Sequence, residues 1–129
     1  MRNPLPLLKY QSPSLLWGLF ICLILLVPSN QIDSGMLFGF IQTDKAIHFV
    51  LFFVFGLLNS VGWAKYLTKY RFLFKVFVLS FVSGLFLAIL TEFLQFSLTN
   101  YRQASLYDIL ADSIGVLLGF LCFRIVYKL

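Results

Sequence analysis

The feature that most constrains the fold is a set of four long apolar runs, joined by short polar segments, within 129 residues. A soluble domain of this size would leave much of that apolar surface in water, which promotes aggregation. Charged residues make up only 12% of the chain, about half of their usual share in a soluble domain. The sequence therefore excludes a soluble enzyme, a disordered tail and a secreted disulfide scaffold, and it predicts a protein whose solvent is largely lipid.

The runs predict a single all-α domain over residues 1–129 that spans the membrane four times. A helix of about 20 residues crosses the roughly 30 Å hydrocarbon core of a bilayer. The predicted helices cover about residues 13–28, 44–64, 72–98 and 106–127. Cys22 and Cys122 both lie inside apolar runs, so we expect them to be packing residues and not a disulfide or a metal pair.

The first run, Leu15 to Val27, is short for a membrane span. We expect Ser12 to be its N-cap and Pro13 its first helical residue. A cleaved signal peptide is the alternative interpretation of this run. Because no Ala-x-Ala-like cleavage site follows it, an uncleaved first helix is preferred.

Lys and Arg residues predict the orientation of the bundle. Eight of the ten lie in the N-terminal arm, the loop between the second and third helices, or the C-terminal end: Arg2, Lys9, Lys65, Lys69, Arg71, Lys75, Arg124 and Lys128. Basic residues accumulate on the cytoplasmic side of membrane proteins, so we expect both termini in the cytoplasm. The net charge of +5 then reflects topology and attraction to anionic lipids, and no nucleic-acid partner is predicted.

The remaining polar residues fall at the opposite, external ends of the predicted helices. They are Asp44, Lys45, His48, Glu92, Gln95, Arg102, Asp108 and Asp112. Asp108 and Asp112 share a helix face with Gly115 and Gly119, whose Gly-xxx-Gly spacing favours close contact with a neighbouring helix. We therefore expect the carboxylates to point into the bundle.

A carboxylate such as Glu92, within the third span, must be protonated, paired or placed in a wet cleft. The candidate cationic partners on that side are Lys45, His48 and Arg102. A histidine with several carboxylates is a legitimate ligand set for a divalent metal. No spacing here is typical of a metal motif, however, so neither a metal nor another cofactor is predicted.

Asp44-Lys45-x-x-His48, Glu92-x-x-Gln95, Arg102, Asp108 and Gly115-xxx-Gly119 together resemble the VanZ-like family of small bacterial membrane proteins. The resemblance implies a four-helix integral protein of the bacterial inner membrane. The founding member is associated with low-level resistance to the glycopeptide teicoplanin, and the resemblance implies no particular reaction. This chain departs from the family at Asp112, where relatives commonly carry Asn, and at Phe52, where many carry Tyr. It also lacks the Pro-Gly turn common in relatives before Arg102.

Two main functional hypotheses follow. In the first, the protein binds or acts on a cell-envelope component, a lipid head group or a glycopeptide-related molecule, in an external polar pocket. His48, Glu92 and Asp108 are then the candidate catalytic residues, and the candidate ligand-binding residues are Asp44, Lys45, Gln95, Arg102 and Asp112. In the second, the polar cluster is an interhelical clasp in a structural protein or an adaptor for another membrane protein or a second copy. A small proton-coupled transporter is a third class, and whether the protein is an enzyme stays open.

Overall fold

The computed structural model describes residues 4–27, 43–67, 73–100 and 103–128. The described residues form α1 (Pro4–Leu25), α2 (Thr43–Leu67), α3 (Leu73–Leu98) and α4 (Leu106–Val126) and contain no strand. All four helices are long and apolar enough to cross a membrane. The prediction of an all-α, four-helix polytopic membrane protein is therefore confirmed.

Consecutive helices run in opposite directions, so the bundle has two chemically different ends. Gln95 of α3 reaches the last residue of α1, and His48 of α2 reaches Asp112 of α4. We call the end where α1 and α3 finish and α2 and α4 begin the polar end. The opposite, basic end carries Lys65, Lys75, Arg124 and Lys128.

The predicted start of the first helix was wrong. Helix α1 begins at Pro4 and not near Pro13, which lies inside the helix. Pro13 lacks the N–H that would bond to the Lys9 carbonyl, and the Ser12 hydroxyl donates to that carbonyl at 2.9 Å instead. Ser12 therefore supports the helix interior and is not an N-cap. With 22 residues, α1 is about 33 Å long, enough for a complete span.

Glycines set the distance between α2 and α4, the most extensive helix pair in the described bundle. A Cβ atom at Gly115 would lie 2.6 Å from the Phe49 carbonyl oxygen, and one at Gly56 would lie 2.6 Å from that of Val116. Gly119 meets the backbone of Phe53 in the same way. The Gly-xxx-Gly face thus packs inward, as predicted, and brings the backbones of α2 and α4 into contact.

The apolar core lies between the two ends of the bundle in two clusters. The cluster nearer the polar end contains Ile21, Leu25, Leu51, Phe52, Phe55, Ala88 and Val116, and the other contains Val76, Phe120 and Phe123. Large apolar side chains such as Phe74 and Phe86 point outward, as expected of helices that face lipid. Cys22 on α1 and Cys122 on α4 are half-buried free thiols.

A layer of neutral polar side chains crosses the bundle further from the polar end than the core cluster that contains Phe52. This inner polar layer consists of Gln11, Ser14, Asn59, Ser60, Ser80 and Ser83. Asn59 donates to the Ser83 hydroxyl, and Ser60 donates to Ser80 Oγ at 3.2 Å. Oriented with its amide nitrogen toward Asn59, Gln11 donates to Asn59 Oδ1 at 2.9 Å. These hydrogen bonds link α1, α2 and α3 without any charge.

Candidate functional site

Six of the eight predicted site residues have described side chains, and the structure gathers all six at the polar end. They are Lys45 and His48 on α2, Glu92 and Gln95 on α3, and Asp108 and Asp112 on α4. The Asp44 side chain and Arg102 lie outside the described residues. Residues distant in sequence thus converge where the ends of three helices meet.

His48 and Asp112 form the innermost pair of the cluster. Both side chains are fully buried, and His48 Nδ1 lies 3.0 Å from Asp112 Oδ1. An ionised carboxylate can only accept, so we assign the ring proton to Nδ1. The pair depends on Gly115, one turn further along α4, because the close approach there brings the two helices within reach of short side chains.

Lys45 and Asp108 form a second pair, one turn nearer the end of the same two helices. Lys45 Nζ lies 3.5 Å from Asp108 Oδ1, without hydrogen-bond geometry. The Lys45 side chain is 35% exposed, whereas that of Asp108 is 9% exposed. Lys45 therefore lies at the rim of the cluster, between the buried carboxylates and the surface.

Glu92 extends the cluster to α3. Its Oε2 accepts a hydrogen bond of 2.8 Å from the backbone N–H of Ser105, the residue that precedes α4. Its Oε1 is buried and has no hydrogen-bond partner among the described residues. The sequence points only to cationic side chains as partners of Glu92 and gives no indication of this backbone donor. A serine directly before an apolar helical run is a recognisable N-cap signal, although it does not reveal which side chain its N–H meets.

Gln95 has a structural contact in the described part of the chain. Its Nε2 donates to the carbonyl of Leu25 at 2.8 Å. The last carbonyl groups of a helix have no partner within that helix, so this bond completes the end of α1. The contact favours an interhelical role for Gln95 over the predicted ligand-binding role.

The cluster combines groups able to bind a proton, an anion or a metal. Three carboxyl groups accompany one ammonium group and one imidazole among its described side chains. His48, Glu92 and Asp108 each offer one donor atom, and these atoms lie within 4.8 Å of one another. Carboxyl groups so close together and so poorly solvated require a proton or a cation to offset their repulsion.

Comparison with known proteins identifies the family. A family model described as VanZ/LLP1 matches residues 9–127. The chain belongs to the VanZ/LLP1 family. The match begins inside α1 and so covers more than the segment from Asp44 to Gly119 on which the sequence resemblance rests.

No curated protein and no solved structure matches the chain significantly. The VanZ/LLP1 assignment and the geometry of the polar end are therefore the basis for a functional proposal. The residues that carry the family resemblance and have described side chains all lie at the polar end or, for Gly115 and Gly119, in the helix contact directly beneath it.

A cavity of about 530 Å³ lies elsewhere, between α1, α2 and α3. Its walls are almost entirely apolar, with Leu15, Phe86 and Leu87 among them, and they include none of the predicted site residues. Gln11 and Asn59 of the inner polar layer border it. The cavity has the surface of a lipid-filled groove, and none of its lining side chains is charged.

Proposed function

We propose that this VanZ/LLP1-family protein binds a cell-envelope component, an anionic lipid head group or a glycopeptide-related molecule, at its polar end. The observation that carries the proposal is the convergence of an imidazole, an ammonium group and three carboxyl groups from three helices of a membrane bundle. Ionisable groups are expensive within spans, and they typically mark substrate or ion sites.

The distribution of basic residues supports the orientation that this function requires. With the basic end in the cytoplasm of a bacterial cell, the polar end lies at the outer leaflet of the inner membrane. Lys45 is half-exposed at the rim and is the cation that an arriving phosphate or carboxylate would meet first. Arg102, between α3 and α4 in the sequence, is predicted to be a second anion-binding residue.

His48 has the arrangement of a proton carrier. A histidine held by a carboxylate at one ring nitrogen can exchange a proton at the other, as general bases in enzymes do. With Glu92 and Asp108 beside it, His48 could transfer a proton to or from a bound group. Asp112, predicted as a ligand-binding residue, is better suited to orient His48. The proposal itself requires only binding.

Lys45 and Lys65, near opposite ends of α2, provide a matched pair of variants that tests binding. The purified protein is reconstituted with phosphatidylglycerol and phosphatidylcholine, and the retained lipids are counted by native mass spectrometry. We expect Lys45→Met to reduce retention of phosphatidylglycerol about fivefold. This factor corresponds to the roughly 1 kcal/mol that one basic residue near an anionic membrane surface contributes to binding. Lys65→Met should retain more of this lipid than Lys45→Met does. Equal losses in both variants, or no preference for the anionic lipid, would contradict the proposal.

A clasp is the second candidate function, because hydrogen bonds at the polar end join several helices. Gln95 ties α3 to α1, and His48 ties α2 to α4. Glu92→Gln separates the two candidates, since glutamine still offers an oxygen to the Ser105 N–H but carries no charge. The test uses cells that express Glu92→Gln at wild-type abundance. If the polar end is a binding site, these cells should have the envelope-lipid composition and glycopeptide sensitivity of a deletion strain. A clasp predicts the wild-type profile.

A further inference from the structure

The geometry of the polar end is that of a cation site assembled from three helices. One donor atom each from His48, Glu92 and Asp108 lies within 4.8 Å of the other two, and all three residues are buried. A tetrahedral ion with bonds of about 2.1 Å separates its ligands by roughly 3.5 Å. The three donor atoms would therefore need to approach one another by at most about 1.3 Å, which small rotamer adjustments can supply.

His48 is already oriented as a metal ligand. Its Nδ1 donates to Asp112, so the lone pair of the neutral ring lies on Nε2. A histidine that binds a metal through one nitrogen almost always donates its other N–H to a carboxylate or carbonyl group, which fixes the tautomer and the ring orientation. Asp112, fully buried beneath His48, occupies the position of that second carboxylate.

Glu92 supplies an independent indication of a ligand. The residue is only 4% exposed, yet its Oε1 has no hydrogen-bond partner among the described residues. A buried carboxylate oxygen without a donor is costly, and native proteins generally satisfy such atoms. A cation between Glu92 and Asp108 would satisfy this oxygen and would also offset the repulsion between the two carboxylates.

We propose that His48, Glu92 and Asp108 bind one divalent transition-metal ion of the Zn²⁺ or Mn²⁺ type, with Asp112 as the positioning residue behind His48. One imidazole with two carboxylates suits these ions better than Ca²⁺ or Mg²⁺, which prefer oxygen ligands alone. The bound ion would also make an anionic ligand compatible with a carboxylate-rich pocket, because it can bridge the protein to a phosphate. Metal binding goes beyond the proposed function and does not require an envelope ligand.

The test uses the full-length protein in detergent, stripped with a chelator and titrated with Zn²⁺ alone and with Mn²⁺ alone. We expect saturable binding of one ion per chain, and no displacement by a tenfold excess of Ca²⁺. Glu92→Gln should weaken binding at least tenfold. Asp112→Asn, which replaces the carboxylate behind His48 with an amide, should weaken it about 10-fold to 100-fold. Pulsed EPR of the Mn²⁺-loaded protein should detect the coupling of one imidazole nitrogen, and His48→Ala should abolish it.

Two further variants separate loss of the site from loss of the fold. Asn59→Ala perturbs the inner polar layer and should leave the metal affinity unchanged. Lys45→Met removes the ammonium group 3.5 Å from Asp108, so it should bind the ion several-fold more tightly. Absence of saturable binding to the wild-type protein would overturn the proposal, as would equal affinity in folded Glu92→Gln. Because no lipid is present in this titration, its failure is distinct from failure of head-group binding.

Discussion

The polar end and the inner polar layer both bury polar side chains between helices of the bundle, but in chemically opposite ways. The inner polar layer uses amides and hydroxyl groups, and none of its buried side-chain atoms lacks a hydrogen-bond partner. The polar end uses ionisable groups, and Glu92 Oε1 and Asp108 Oδ1 have no hydrogen-bond partner among the described residues.

This difference separates a region that neutral hydrogen bonding explains from a region of ionisable groups that it does not explain. Neutral hydrogen bonds between spans are sufficient to link helices, at about 0.6 kcal/mol each on average. A group of buried carboxylates adds desolvation and repulsion that a link between helices does not require. The polar end is thus more costly than packing explains, and that excess is the physical reason for proposing a binding function there.

The largest predicted effect comes from removal of the imidazole at the polar end. His48→Ala deletes the ring that accompanies the fully buried Asp112 carboxylate, and it leaves a cavity between α2 and α4. Leaving a buried carboxylate without its partner costs about 4 kcal/mol of unfolding free energy. Asn59→Ala removes the hydrogen bond to Ser83 in the inner polar layer and should cost only about 1 kcal/mol.

Unfolding in mixed detergent and denaturant, followed by circular dichroism, measures both losses. The double variant of His48 and Asp112 should lose less stability than the two single variants added together, because the partners act as a unit. Equal losses for His48→Ala and Asn59→Ala would mean that the two regions do not differ energetically, and the argument for a costly polar end would fail.

A second variant tests whether the inner polar layer tolerates a charged side chain. Asn59→Asp places an isosteric carboxylate in the inner polar layer, where it lies among neutral side chains of the described bundle. A carboxylate near the centre of a span costs about 3 kcal/mol, so we expect a loss of that size or a proton held at neutral pH.

The reverse substitution, Asp112→Asn, replaces a carboxylate of the polar end with an amide and is the matched control for Asn59→Asp. It keeps an oxygen that accepts from His48 Nδ1–H, so it should cost less than about 1 kcal/mol. The same unfolding assay compares the two variants. A smaller loss for Asn59→Asp than for Asp112→Asn would show that the inner polar layer tolerates charge as well as the polar end does.

The parts of the structure that follow local periodicity could be predicted from the sequence. Asp108, Asp112, Gly115 and Gly119 repeat at helical spacing, so their shared inward face was predicted correctly. The start of α1 was not, because Ser12 and Pro13 were interpreted as the start of a helix that in fact begins at Pro4. The compensation at Pro13, a hydroxyl from the preceding residue, depends on backbone geometry.

Partners that belong to the backbone or to several helices could not be predicted. Glu92 accepts from the N–H of Ser105, and Gln95 donates to the carbonyl of Leu25. Every residue has a backbone carbonyl, and every residue except proline has a backbone N–H, so residue types do not indicate which backbone group a side chain contacts. The proposed cation ligands could not be singled out from the sequence for a geometric reason. Metal motifs are recognised by short spacings, whereas His48, Glu92 and Asp108 come from three separate helices.

The smallest of the three effects concerns the contact on which the polar end is built. Gly115→Ala places a Cβ 2.6 Å from the Phe49 carbonyl oxygen, so α2 and α4 must separate. Overpacking of this kind costs about 2 kcal/mol. Gly18→Ala is the control, because the nearest atoms to its Cβ lie at an ordinary 3.5 Å and alanine favours the helix.

Additivity connects this variant to the comparison between the two regions. If Gly115 holds α2 and α4 at the distance that the polar end needs, Gly115→Ala should already weaken the contact between His48 and Asp112. The combined variant of Gly115→Ala and His48→Ala should then lose clearly less stability than the sum of its parts. Gly115→Ala and Asn59→Ala should add, because Asn59 bonds to α1 and α3 and not to α4. Additivity in both combinations would mean that the close helix contact and the ionic cluster arose independently, and that the glycines do not assemble the site.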